Sequence, residues 1–144
     1  MNIYVASSWR NNIQPEVVQA LREAGHQVYD FKNPPGRSGF AWSEIDINWQ
    51  LWTAKQYIKA LEHPIAVAGY NLDFNAMIWA DVCVLVLPSG RSAHSEAGWF
   101  AGSNKPVIVL TDDSQEPELM YKMFHYITTT IAGVLKALID IEKQ

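Results

Sequence analysis

The run Val82 to Leu87 is apolar at every position and stands between Asp81 and Pro88. A strand with one wet face alternates polar and apolar residues. A strand with no polar position needs cover on both faces, as the inner strands of parallel sheets have. Shorter apolar runs occur at Asn2 to Ala6, apolar from Ile3 onward, and at Val107 to Leu110. Helical patterns lie between them. Pro15 suits a helix start, Val17, Val18 and Leu21 recur at helical spacing up to Ala24, and Gly25 is a stop before a second strand, His26 to Phe31. Thr53 to Glu62 reads as a helix broken at His63-Pro64, Ile65 to Ala80 as the next, then Ala93 to Gly102. A short last strand, Phe124 to Ile127, precedes an amphipathic helix from Thr128 to Lys143. Strands alternating with helices predict an α/β fold, with a mostly parallel sheet of about five strands between two helical layers. No repeat or linker interrupts the chain, so residues 1–144 are read as one domain. At 49% hydrophobic content it has enough apolar side chains to fill one core.

Charge narrows the partners. Eleven basic residues against 15 acidic ones leave a net charge of -4, with no Lys/Arg run. That argues against duplex nucleic acid, whose binding depends on phosphate neutralisation. A small anionic ligand held by a local basic group remains compatible. The single cysteine, Cys83, excludes an internal disulfide and a Cys-rich zinc site, and its place in a buried strand makes it inert. His26, His63 and His125 show no metal-ligand spacing, so no metal site is expected from them. The start lacks the pattern of a signal peptide and no run has membrane-spanning length, so the expected location is the cytoplasm.

Ligands of such sheets sit beyond the carboxyl ends of the strands. This directs attention to Ser7–Asn12, Asn33–Trp52 and Pro88–Glu96. In the last loop Ser89, Gly90, Arg91 and Ser92 precede a helix, where free N–H groups and the helix dipole favour an anion. The same residues also suit a plain serine cap with an exposed arginine. Glu96, just beyond, is a nucleophile, a base or a capping-box partner. His94 is close, yet no G-x-S-x-G turn accompanies it. Asp73 either caps the helix leading into the third strand or faces the crevice. Ser7, Ser8, Trp9 and Arg10 follow the first strand and suit an anion or a sugar, or an ordinary turn. No G-x-G-x-x-G dinucleotide signature is present. Trp42, Trp49 and Trp52 can stack on a nucleobase, pack on the core or form an interface. Trp79 and Trp99 read as core or interface residues.

Several segments together resemble the nucleoside 2-deoxyribosyltransferase superfamily, including its nucleoside 5'-monophosphate N-glycosidase branch. They are IYVASSWRN at Ile3–Asn11, Asp73, ADVCVLVLPSG at Ala80–Gly90, the Glu-x-Gly of Glu96 to Gly98, and NKPVIVL at Asn104–Leu110. The resemblance implies a flavodoxin-like three-layer sandwich, a homodimer or dimer of dimers, and cleavage of a base–sugar N-glycosidic bond without metal or cofactor. It makes Glu96 the nucleophile and Asp73 the acid that meets the leaving base. The expected substrate-binding set is Ser7, Trp9, Arg10, Ser89, Gly90, Arg91, Ser92 and Trp42. The transferases carry an acidic residue about six positions before the glutamate, where this chain has Gly90. That shifts the expected substrate from free nucleosides to nucleoside 5'-monophosphates. A helix N-terminus and Arg91 are expected to keep Glu96 ionised. The alternatives are an NAD glycohydrolase of TIR-like type and a non-catalytic nucleotide sensor.

Overall fold

The computed structural model describes all residues from Met1 to Gln144. Five strands, β1 (Asn2–Ala6), β2 (Gln27–Asp30), β3 (Val82–Val86), β4 (Val107–Leu110) and β5 (Tyr126–Thr128), form one sheet in the order β2-β1-β3-β4-β5. Every pairing is parallel. The sheet is therefore wholly rather than mostly parallel, in the flavodoxin order with its switch point between β1 and β3. No helix is long and apolar enough to cross a membrane.

Alternation along the strands divides the core into two layers. Tyr4, Ala6, Cys83, Leu85, Val107 and Val109 face α3 (Pro64–Trp79) and α4 (Arg91–Gly102). Ile3, Val5, Val82, Val84, Val86 and Ile108 face α1 (Gln14–Glu23) and α5 (Ile131–Glu142). The short α2 (Ala54–Ala60) precedes α3. Gly25, at φ 92°, ends α1, and the next N–H, that of His26, returns to the Leu21 carbonyl at 3.1 Å.

Local capping moves several expected boundaries. His63 Nδ1 accepts from the Ile65 N–H at 3.1 Å and starts α3 at Pro64. Asp73 thus lies well inside α3 and caps nothing. Helix α4 begins at Arg91, two residues before the expected Ala93, with Gly90 as its N-cap and no side-chain cap. The serine-cap reading of this loop is therefore incorrect. Thr130 Oγ1 accepts from the Gly133 N–H at 2.9 Å, so α5 starts at Ile131 and leaves Thr128 in β5.

Two devices brace the sheet, one at the carboxyl ends of its strands and one at their amino ends. Asn11 Oδ1 accepts from the N–H groups of Ile13 and Gln14, while its Nδ2 donates to the Val86 and Pro88 carbonyls. This one side chain caps α1 and ties the loops after β1 and β3 together. At the other end of α3, Lys105 Nζ donates to the Met77, Ile78 and Ala80 carbonyls at 3.0, 2.8 and 2.7 Å. A cation on orphan carbonyls suits the negative end of the helix. The segment Phe40–Trp52 holds two single 3-10 turns, Trp42–Glu44 and Trp49–Leu51.

Candidate active site

Beyond the carboxyl ends of β1, β2 and β3 lies a cleft of about 470 Å³. Its floor is built by strand register. Tyr4 of β1 pairs with Tyr29 of β2, and their rings stack at 5.4 Å with planes 16° apart. Tyr4 donates its hydroxyl to Glu96 Oε2, which reaches down from the second turn of α4. Tyr29 donates its hydroxyl to Asp73 Oδ1 of α3 at 2.7 Å. Two strands thus present two donors, and the two helices above them present one carboxylate each.

The surroundings set the protonation of this quartet. Burial raises Glu96, the Tyr4 hydrogen bond lowers it, and the charge of Asp73 raises it, with the outcome pushed up to about 7. Burial also raises Asp73 from its ordinary value, against the pull of the Tyr29 hydroxyl and the positive charge of Arg37. Burial first, and then the neighbouring carboxylates, raise both tyrosines, so they remain donors at any ordinary pH. The expectation that Arg91 and the helix N-terminus keep Glu96 readily ionised is corrected by this environment. Desolvation outweighs them, because the carboxylate points inward to the sheet.

Three guanidinium groups, Arg10, Arg37 and Arg91, line the same cleft. Arg37 Nη2 lies 3.6 Å from Glu44 Oε1. Arg10 and Arg91 pair with no carboxylate. Of the expected binding residues, Ser7, Trp9, Arg10, Gly90, Arg91 and Ser92 border the cleft with Asp73 and Glu96. Ser7 Oγ is already committed to the Val86 carbonyl at 2.8 Å, so its hydroxyl serves the fold.

Ser89 and Trp42 lie outside the cleft. Ser89 Oγ sits 3.4 Å from His94 Nδ1, and that ring also meets the Gly90 carbonyl and the Tyr121 hydroxyl at 2.8 and 2.6 Å. His94 therefore braces the loop and activates no serine. Trp42 packs edgewise on Phe40, Trp52 and Tyr57, with centroids 4.9, 5.7 and 6.0 Å away. It borders a separate trough beside the cleft. Trp99 packs on Phe74 and Phe100.

Sequence reasoning missed Tyr4, Tyr29 and Arg37. The two tyrosines did leave a signal: a strand tyrosine bound for the core must find an acceptor for its hydroxyl. Arg37 left none, standing in a Pro/Gly-rich turn.

The sequence matches no protein-family model and no curated protein. Among solved structures, the chain is similar to a 2-deoxyribosyltransferase from the psychrotolerant bacterium Bacillus psychrosaccharolyticus. The TM-score is 0.60 at 19% identity, over 92% of this chain and 88% of that one. The chain has the fold of a 2-deoxyribosyltransferase. It is also similar to the CMP N-glycosidase of Clostridium botulinum, with a TM-score of 0.52 at 16% identity, over 94% of this chain and 96% of the other. At such identities the likeness establishes the flavodoxin-like fold, and chemistry has to be argued from the residues in the cleft.

Proposed function

We propose that this chain is an enzyme cleaving the N-glycosidic bond of a nucleoside 5'-monophosphate, with Glu96 as nucleophile and Asp73 as acid. One observation carries the reading. Two half-buried carboxylates, each held by a tyrosine hydroxyl, share a cleft with two guanidinium groups that have no internal partner. The similar folds belong to a 2-deoxyribosyltransferase and a CMP N-glycosidase, which makes this bond the first to test.

As the base departs, C1' of the sugar gains oxocarbenium character. The Glu96 carboxylate bonds to C1' while the C1'–N bond breaks. The electron pair leaves with the base nitrogen, which takes the proton of Asp73. Water then adds its oxygen to C1', gives a proton to the Asp73 carboxylate, and releases Glu96. A second base in place of water gives transfer instead of hydrolysis. The pair needs one proton in total, with Glu96 charged and Asp73 neutral. Groups coupled in this way titrate as a unit. Arg10, Arg91 and the free N–H groups in the first turn of α4 receive the 5'-phosphate.

The test is a chromatographic screen of nucleosides, nucleoside 5'-monophosphates and NAD with wild type and Glu96→Gln. Release of free base and sugar phosphate by wild type alone is expected. Tight binding of a monophosphate with no turnover of any compound overturns the catalytic reading in favour of a sensor. Cleavage of NAD without cleavage of any monophosphate overturns the substrate assignment.

A further inference from the structure

Beside the cleft runs a trough of about 520 Å³ whose lining includes Trp9, Phe40, Trp42 and Trp49. The two cavities adjoin. Trp9, Gly39, Phe40 and Ser92 border both. The trough has no charged side chain in its lining, and its polar side chains are Ser43 and Ser92 alone. Ser92 is the second residue of α4, next to Arg91, so the shared border lies at the Arg91 end of the cleft.

We propose that the trough holds a second planar aromatic group joined to the substrate through its 5'-phosphate, so that the ligand is a pyrophosphate-linked dinucleotide. This rests on the proposed N-glycosidase reading and extends the substrate beyond a single nucleotide. Two features select this occupant. First, the indoles are presented. Trp9 is 53% and Trp49 38% exposed, and the Trp49 ring stacks on no other aromatic ring of the chain. A β-carbon on Gly39 would collide with the Trp9 indole, so the bare backbone at Gly39 lets that ring lie against the chain at the border of both cavities. Second, the charge pattern matches. A dinucleotide places two phosphates between two aromatic ends, and here two unpaired guanidinium groups, Arg10 and Arg91, belong to the cleft while the trough carries no charge. The bond broken is unchanged: the C1'–N bond of the cleft-bound nucleoside breaks with its electron pair going to the base nitrogen, water supplies the oxygen that ends on C1', and the proton released goes to a neutral base or, when the base is cationic as in NAD, to solvent.

The experiment measures binding by calorimetry in Glu96→Gln, which keeps the ligand whole. NAD is compared with nicotinamide mononucleotide, and dicytidine 5',5'-diphosphate with CMP. In at least one pair the dinucleotide is expected to bind about five- to a hundredfold tighter, the range that stacking of one base on an aromatic side chain supplies. Adding Trp49→Ala is expected to remove that advantage and leave mononucleotide affinity unchanged. Ala41→Trp, which fills the trough from another wall, is expected to do the same without deleting an aromatic ring. Equal binding within both pairs overturns the inference, as does an equal loss for both members of a pair in Trp49→Ala. No binding of any of the four overturns it together with the N-glycosidase reading. Turnover of a monophosphate by wild type without a dinucleotide advantage overturns the trough assignment alone.

Discussion

Tyr4 and Tyr29 are register partners on adjacent strands, and each gives its hydroxyl to a different carboxylate, Glu96 and Asp73 respectively. The stacked rings fix the spacing of the two donors and so hold the two acids over one patch of sheet. Because the charge of Asp73 raises Glu96, the protonation of one acid depends on the other.

The first prediction is the pH profile. The reacting form carries one proton across the pair, so kcat/KM of wild type falls above about pH 7 as Glu96 ionises alongside a charged Asp73. In Tyr4→Phe the group that lowers Glu96 is gone, and burial acts unopposed. The alkaline fall moves to higher pH and the maximum drops, because Glu96 holds the shared proton more of the time. An unmoved alkaline limb in Tyr4→Phe contradicts this account.

The second concerns Glu96 and stability. Its folded value, about 7, lies above its ordinary 4.5. Below pH 4.5 both states hold the proton and ionisation costs nothing. Between 4.5 and about 7 the unfolded chain ionises this carboxyl while the folded chain keeps it protonated, and wild type loses on the order of 3 kcal/mol by the time pH passes the folded value. Glu96→Gln escapes that loss. Its Tm therefore gains on wild type between pH 4 and pH 8, while turnover falls by orders of magnitude. Thermal melts across this range check it, and parallel Tm curves for the two proteins speak against it.

A third follows from the leaving base. Asp73→Asn supplies no acidic proton and removes the charge that raises Glu96. Rates drop most for substrates with poorly leaving bases, and the alkaline fall disappears. Steady-state rates on a series graded by base acidity measure this. An equal drop across the series rules out the acid role.

Phosphate recognition gives a fourth. Arg91 has no internal ion pair, so its contact to a substrate phosphate is a net gain. One charge-assisted bond contributes roughly 1.5–3 kcal/mol. Arg91→Ala should therefore lower kcat/KM on a nucleoside 5'-monophosphate by about ten- to a hundredfold, with little change on the free nucleoside. Equal rates of wild type on both substrates would remove the phosphate site from the proposal.

The fifth is assembly. Leu61, at the end of α2, and Val67, Tyr70 and Ile78 of α3 are apolar and exposed. Exposed apolar side chains grouped on one helix mark an interaction surface, so this face is expected to pair with a second copy of the chain. Sedimentation at micromolar concentration should give a homodimer, and Tyr70→Glu a monomer. A fully active wild-type monomer contradicts it.

The fold was legible because strand and helix periodicities are local. Val82–Leu87 declares itself a doubly covered strand, and Gly25 a helix stop. Asp73 and Glu96 were picked out by their places near the expected crevice, and the family resemblance, not spacing, gave them their roles. What escaped depends on distance along the chain. Tyr4 and Tyr29 look like core aromatics until their acceptors are known, and those lie 92 and 44 positions away. The start of α4 was misplaced because glycine caps without a side-chain signature, which obscured the different settings of Ser89 and Ser92. Trp42 could not be told from Trp49 by spacing, since only packing shows that Trp42 is enclosed by Phe40, Trp52 and Tyr57.

The all-parallel sheet has a bearing on how the chain comes into being. It contains no hairpin, so every pairing must close a long loop, and the β1–β3 pairing joins Ile3 to Val82. During synthesis from the N-terminus, Tyr4 and Tyr29 emerge long before Glu96. A nascent chain that has made β1, α1 and β2 holds two donors with no acceptors and half a switch point. Reactivity therefore arrives late and all at once, when α4 settles over strands made long before it.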